Sequence, residues 1–190
     1  MKKLLVRILI MFLTVSTSIS AQTAQQSRKP SPEFQKEGEY YVGDWMLTGE
    51  TKPSPFGPGG QKFDASERLE WMPGGFFLMA RSYEGAKWSA LTIIGYDKNK
   101  RVFTHTRYTE TGEIETMEGT VHGETEIWSG NGELRGKLTK QRLIIERRSP
   151  TLYTFKGEIA ADSGNWSVVY EGQAIKTTAR PLQSPSPTPK

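Results

Sequence analysis

The 190-residue chain contains no cysteine. No disulfide can staple it and no thiolate can act as nucleophile or metal ligand. A lipid anchor on a cysteine behind the N-terminal segment is excluded for the same reason. Histidine is nearly as scarce: His105 and His122 are the only two, and no His-x-x-x-His spacing occurs. No metal site and no cofactor are therefore expected. Gly-x-Ser-x-Gly is also missing, and the glycine runs at 57–60 and 74–75 open no helix, which removes the serine-hydrolase elbow and the phosphate cradle. After Leu13 no apolar run approaches the about 20 residues of a spanning helix, so no membrane span is expected downstream.

A strong charge of one sign is lacking as well. The whole chain carries 25 basic and 21 acidic residues. Lys2, Lys3 and Arg7 fall within residues 1–21, which hold no acid, so 22 basic and 21 acidic residues remain and the net charge drops to +1. The remaining charges alternate in sign, as on a solvated surface, and nucleic acid is not an expected partner.

What is present begins with a targeting pattern. The basic start, the apolar run Ile8 to Leu13, and small polar residues up to Ala21 have the layout of a secretory signal peptide. Export to the periplasm or the medium is expected, with cleavage near Ala21. Residues 22–36 then read as a flexible lead-in with a short helix, in which Ser31 caps, Pro32 opens the first turn and Phe34 is buried. The globular domain is expected over 37–178, and the Pro/Ser-rich residues 179–190 as an extended tail.

From Tyr40 the hydrophobic period changes to two. Strands are expected at Gly43–Thr51, Lys62–Met72, Gly75–Tyr83, Lys87–Tyr96, Arg101–Thr109, Glu113–Val121, Glu124–Ser129, Glu133–Thr139, Arg142–Arg148, Thr151–Ala160 and Trp166–Thr177. The Pro/Gly-rich 52–60 is a long exposed loop. Gly130-Asn131-Gly132 reads as a tight hairpin turn. About ten strands with short connections predict an all-β, antiparallel up-and-down barrel.

Gly43-Asp44-Trp45 resembles the Gly-x-Trp opening of lipocalin-like (calycin) barrels. The longer series is more specific: Val42-Gly43-Asp44-Trp45, the Pro53 to Gly60 loop, Trp71-Met72-Pro73-Gly74-Gly75-Phe76-Phe77-Leu78, Gly95-Tyr96-Asp97, Glu118-Gly119-Thr120-Val121 with Trp128, Tyr153-Thr154-Phe155, and Glu171-Gly172. With these motifs the chain resembles a bacterial family of domains of unknown function, number 1579, over about Phe34 to Thr178. The resemblance implies a lipocalin-like barrel and no established activity.

Candidate residues fall into two groups. Trp71, Trp88, Tyr96, His105, Arg107 and Trp128 are the expected ligand-binding residues for a small apolar molecule. Gly43, Trp45 and Lys176 are expected to plug one end, with Lys176 laying its charge over the indole. No catalytic residue is assigned. Glu67, Glu70, Glu115 and Glu118 read as a solvated face. The expected function is small-molecule binding by a monomer or weak homodimer. The alternatives are a barrel enzyme using His105, Arg107 or an inward carboxylate for proton transfer, and an envelope protein without a small ligand.

Overall fold

A computed structural model describes residues 29–134, 137–160 and 164–177. The expected signal peptide, residues 22–28 of the expected lead-in, and the expected tail lie outside the described residues. One helix, α1 (Pro32–Tyr41), precedes ten strands. These are β1 (Gly43–Thr51), β2 (Lys62–Trp71), β3 (Leu78–Glu84), β4 (Lys87–Asp97), β5 (Val102–Thr109), β6 (Ile114–His122), β7 (Thr125–Leu134), β8 (Lys137–Ser149), β9 (Leu152–Ala160) and β10 (Trp166–Thr177). Each pairs antiparallel with its sequence neighbours, and β10 returns to β1, closing the barrel. Closure removes the exposed edges that an open meander of this length would carry.

The helix is longer than the sequence predicts. Ser31 Oγ accepts from the Phe34 amide at 3.4 Å and Pro32 opens the first turn, as expected of those residue types. The helix nevertheless continues through Gly38 and takes in Tyr40 and Tyr41, where the period of two was expected to begin; the first strand itself runs over Gly43–Thr51 as expected. Gly38 is tolerated because nothing larger fits: a Cβ there would stand 2.3 Å from the Trp71 indole. Burial of Phe34 and Gly38 outweighs the usual helix cost of glycine. The chain then turns at Gly43, whose φ of +127° favours glycine, and β1 starts.

A second expectation is overturned at Gly130-Asn131-Gly132. No turn forms there. β7 runs straight through to Leu134, with Gly130 opposite Gln141 and Gly132 opposite Thr139. The expected strand 133–139 is split between the end of β7 and the start of β8, and β8 runs on through the expected strand 142–148. These glycines serve close approach, not reversal. A Cβ on Gly130 would stand 2.4 Å from the Thr116 carbonyl oxygen, and one on Gly132 1.9 Å from the Gln141 amide.

The core is the inward face of the strands, centred on Trp45, Leu69, Leu78, Phe103, Trp128, Tyr153 and Phe155. Space for these rings comes from glycines on neighbouring strands. A Cβ on Gly119 would meet Trp128 at 2.6 Å, one on Gly49 would meet Phe63 at 2.5 Å, and one on Gly157 would meet Tyr170 at 2.2 Å. The meander sends all the chain ends of one kind to one rim. The rim holding the start of β1 and the end of β10 is covered by α1. The opposite rim carries the 52–61 loop, and no helix among the described residues covers it.

Candidate functional site

The helix-covered rim is packed and internally satisfied. Trp45 is fully buried, and its Nε1–H donates to the Tyr41 carbonyl at 2.7 Å. Lys176, its register partner on β10, places Nζ 5.3 Å from the indole centroid and donates to the Tyr40 carbonyl at 2.9 Å. Behind the indole, Arg147 pairs with both Glu126 and Glu37. The Tyr41 hydroxyl donates to Glu126 at 2.5 Å, and Trp128 Nε1–H donates to the other Glu126 oxygen at 3.2 Å. Burial opposes the Arg147 charge, but the Glu126 and Glu37 carboxylates outweigh it and hold the guanidinium above its ordinary pKa. Burial, reinforced by Glu126, pushes the Tyr41 phenol well above its usual range.

The lumen towards the uncovered rim differs. Phe63, Arg107, Glu115, Met117, Gln141, Leu143 and Tyr170 all occupy inward register positions there, yet each keeps accessible surface. Set among them is a polar group assembled from five strands. Ser82 of β3, 3 % exposed, donates to Glu67 of β2 at 2.8 Å. Thr92 of β4 stands opposite Arg107 of β5, and Glu115 of β6 stands opposite Arg107 on the other side. His105 lies against Trp128 with ring centroids 5.7 Å apart. Burial pushes the Glu67 carboxyl up, against the Ser82 hydrogen bond and the Arg107 charge. Burial and then Arg107 push His105 down to about 4. Nδ1 of His105 and Nε of Arg107 are buried without any hydrogen-bond partner.

The six expected ligand-binding residues are thus divided among three places. His105, Arg107 and Trp128 meet in the lumen. Trp71 sits beneath α1, edge-on to Phe34 at 5.4 Å, and Tyr96 packs on Phe103 at 5.1 Å near the same rim. Trp88 stands at the uncovered rim, 40 % exposed. The reading of four glutamates as one solvated face is corrected. Glu70 pairs with Arg81 and Glu118 with Lys100 on the outside, whereas Glu67 and Glu115 share the inward face. Glu67, Ser82, Thr92 and Tyr170 were absent from the expected site. A signal for Glu67 does exist: it falls in the odd-numbered series Phe63, Ala65, Leu69, Trp71, whose other members are all apolar.

Two outer hollows are less suited to chemistry. A groove of about 590 Å³ crosses β1, β10, β9 and β8, lined by charges such as Glu146, Arg148 and Lys156. Those charges already pair among themselves or with neighbours, Arg148 with Glu146 and Lys156 with Glu158. A hollow of about 320 Å³ lies under the 52–61 loop beside Tyr170. Among the described residues no three His, Asp or Glu side chains converge to hold a metal ion.

A ten-stranded antiparallel barrel with a helix-sealed rim and a partly polar lumen defines a lipocalin-like class of protein. Residues 39–176 match the family described as "Protein of unknown function (DUF1579)", and the chain belongs to that family. Among solved structures, the chain is similar to the one titled "Crystal Structure of Rv2717c from M. tuberculosis", at 12 % identity and a TM-score of 0.51, over 78 % of this chain and 99 % of that one. That likeness is one of fold. No curated protein sequence matches significantly.

Proposed function

We propose that the protein is an exported barrel that binds a small, mainly apolar molecule in its lumen. The carrying observation is the contrast inside the lumen: aromatic side chains line it, inward residues towards the uncovered rim keep accessible surface, and two buried polar atoms there lack partners. Buried polar groups are nearly always satisfied, so orphans on the inward face of the barrel mark a place where something else belongs. Export rests on the basic, apolar and small-residue order of residues 1–21. Native mass spectrometry of protein purified from its own host tests the binding. A bound mass lost on denaturation supports it; a bare chain, together with no saturable uptake of the neutral dye N-phenyl-1-naphthylamine, overturns it.

A second reading has its own support. Glu67 and His105 are displaced in opposite directions in one lumen, the pattern from which acid–base pairs are made. On that reading the bound molecule is turned over, and the mass recovered after incubation differs from the mass supplied. Recovery of the molecule unchanged favours the binder.

A further inference from the structure

Among the described residues, one inward-facing cation, Arg107, makes no ion pair. Arg107 faces inward from the half of β5 nearer the uncovered rim. It takes part in none of the ion pairs formed among the described residues. Its Nε is buried and unpartnered, and so is Nδ1 of His105, two residues earlier on the same face. Two residues along a strand return to the same side, so both orphans address one region of the lumen.

The neighbouring groups do not resolve the imbalance. Glu67 already accepts from Ser82, and burial holds it towards its neutral form. Glu115 is the cross-strand partner of Arg107 but makes no ion pair with it. Thr92, Gln141 and Tyr170, further polar groups on this side, supply no charge in their neutral forms. A buried guanidinium nitrogen without an acceptor, on a side chain that makes no ion pair, is costly, and an arriving anion offsets that cost. The planar guanidinium fork matches a carboxylate with two parallel N–H donors. A cationic ligand would meet repulsion from Arg107 and leave its donors unmet.

We infer that the lumen ligand is an amphiphile with a single carboxylate head, anchored by the guanidinium of Arg107, its apolar body lying on the wall formed by Phe63, Trp128 and Phe155. The inference rests on the lumen-binding reading and adds the chemical class of the ligand.

Displacement of N-phenyl-1-naphthylamine at pH 7.5 by decanoate, decanol and decylamine tests it, with one chain length and three head groups. In the native protein decanoate should displace the dye at an about tenfold lower concentration than decanol, the equivalent of one good charge-assisted contact. Decylamine should be the weakest of the three. Arg107→Gln should bring decanoate to the level of decanol in that variant, and Arg107→Lys should keep part of the preference. The ranking in the native protein decides the matter even where Arg107→Gln fails to fold. Equal displacement by decanoate and decanol, a preference for decylamine, or a preference that survives in folded Arg107→Gln would overturn the inference while leaving lumen binding intact. A dye that never enters saturably would overturn both.

Discussion

The two ends of this barrel are built from the same strands and treat polar groups in opposite ways. At the helix-covered rim, Trp45, Tyr41, Glu126, Arg147 and Lys176 are buried or half-buried, and each has a named partner. Towards the uncovered rim, His105 and Arg107 bury polar atoms that have none. Both arrangements cost desolvation. Only the first recovers it within the chain, through hydrogen bonds and ion pairs that also fasten α1 to β1, β7, β8 and β10. The difference separates a region organised for holding the barrel shut from one organised around something the chain does not contain.

The largest test of that contrast is a truncation at each end. Trp45→Ala removes a fully buried indole, its hydrogen bond to Tyr41 and its ring contacts with Tyr40 and Tyr153. It should cost about 3–5 kcal/mol, a large share of the about 5–15 kcal/mol of an ordinary domain. Tyr170→Phe, in the lumen, keeps its ring over Gly157 and should cost under about 1 kcal/mol. Urea unfolding midpoints of both variants check this. Equal losses would dissolve the distinction between the two ends.

A smaller effect tests the lumen through pH. His105 has its folded pKa pushed down to about 4 from an ordinary 6.5. The unfolded chain therefore binds the extra proton first as pH falls. The contribution of His105 is fully present above pH 6.5 and is lost progressively down to about pH 4, approaching about 3 kcal/mol if the whole shift is expressed. Glu67 runs the other way: its raised pKa gives stability present at low pH and lost as pH rises through the folded value. Comparing native protein with His105→Gln isolates the histidine. The difference in unfolding free energy between pH 7.5 and pH 4.5 should narrow by on the order of 2 kcal/mol in the variant. Identical pH profiles would show that His105 is solvated, and the lumen would lose its claim to be a shielded site.

Much of the architecture was legible because it depends on local period and turn chemistry. Apolar residues at every second position, with positive-φ glycines at 74–75, 85, 112 and 123, define strands and reversals without tertiary knowledge. Legibility failed where a glycine answered to a distant neighbour. Gly38 and the pair Gly130 and Gly132 look like breaks in sequence, but Trp71, the Thr116 carbonyl and Gln141 explain them only across the sheet. The candidate site was half legible for a related reason. His105, Arg107 and Trp128 stand out by type, whereas Glu67 is marked only by its place in an apolar period-two series, and Ser82 is an ordinary residue until closure fixes which face turns inward. Their 2.8 Å contact joins two strands, and no local window contains it.

The smallest effect concerns how the covered rim is secured, and Lys176 carries it. Its register partner across the closing seam is Trp45, and its alkyl stem lies 2.9 Å from where a Gly43 Cβ would sit. Its ammonium donates to the Tyr40 carbonyl and lies over the indole at 5.3 Å. Burial lowers its pKa, with Glu39 opposing, so the fold tolerates the charge rather than seeking it. Lys176→Met keeps the stem and removes the ammonium. The lost cation–π contact and hydrogen bond should cost about 1 kcal/mol, well below Trp45→Ala. The sign of the pH response separates this from simple packing. A group whose folded pKa is depressed adds stability as pH rises towards its unfolded value, here 10.5. Buried Tyr41 and Tyr153, with raised values, remove stability over much of the same alkaline range in both proteins. The native protein should therefore lose less stability than Lys176→Met between pH 8 and pH 10, as read from paired urea titrations. A loss as large as that of Trp45→Ala would make Lys176 the principal fastening of the seam. Parallel pH curves would mean that its ammonium is fully hydrated and that the indole closes the rim unaided.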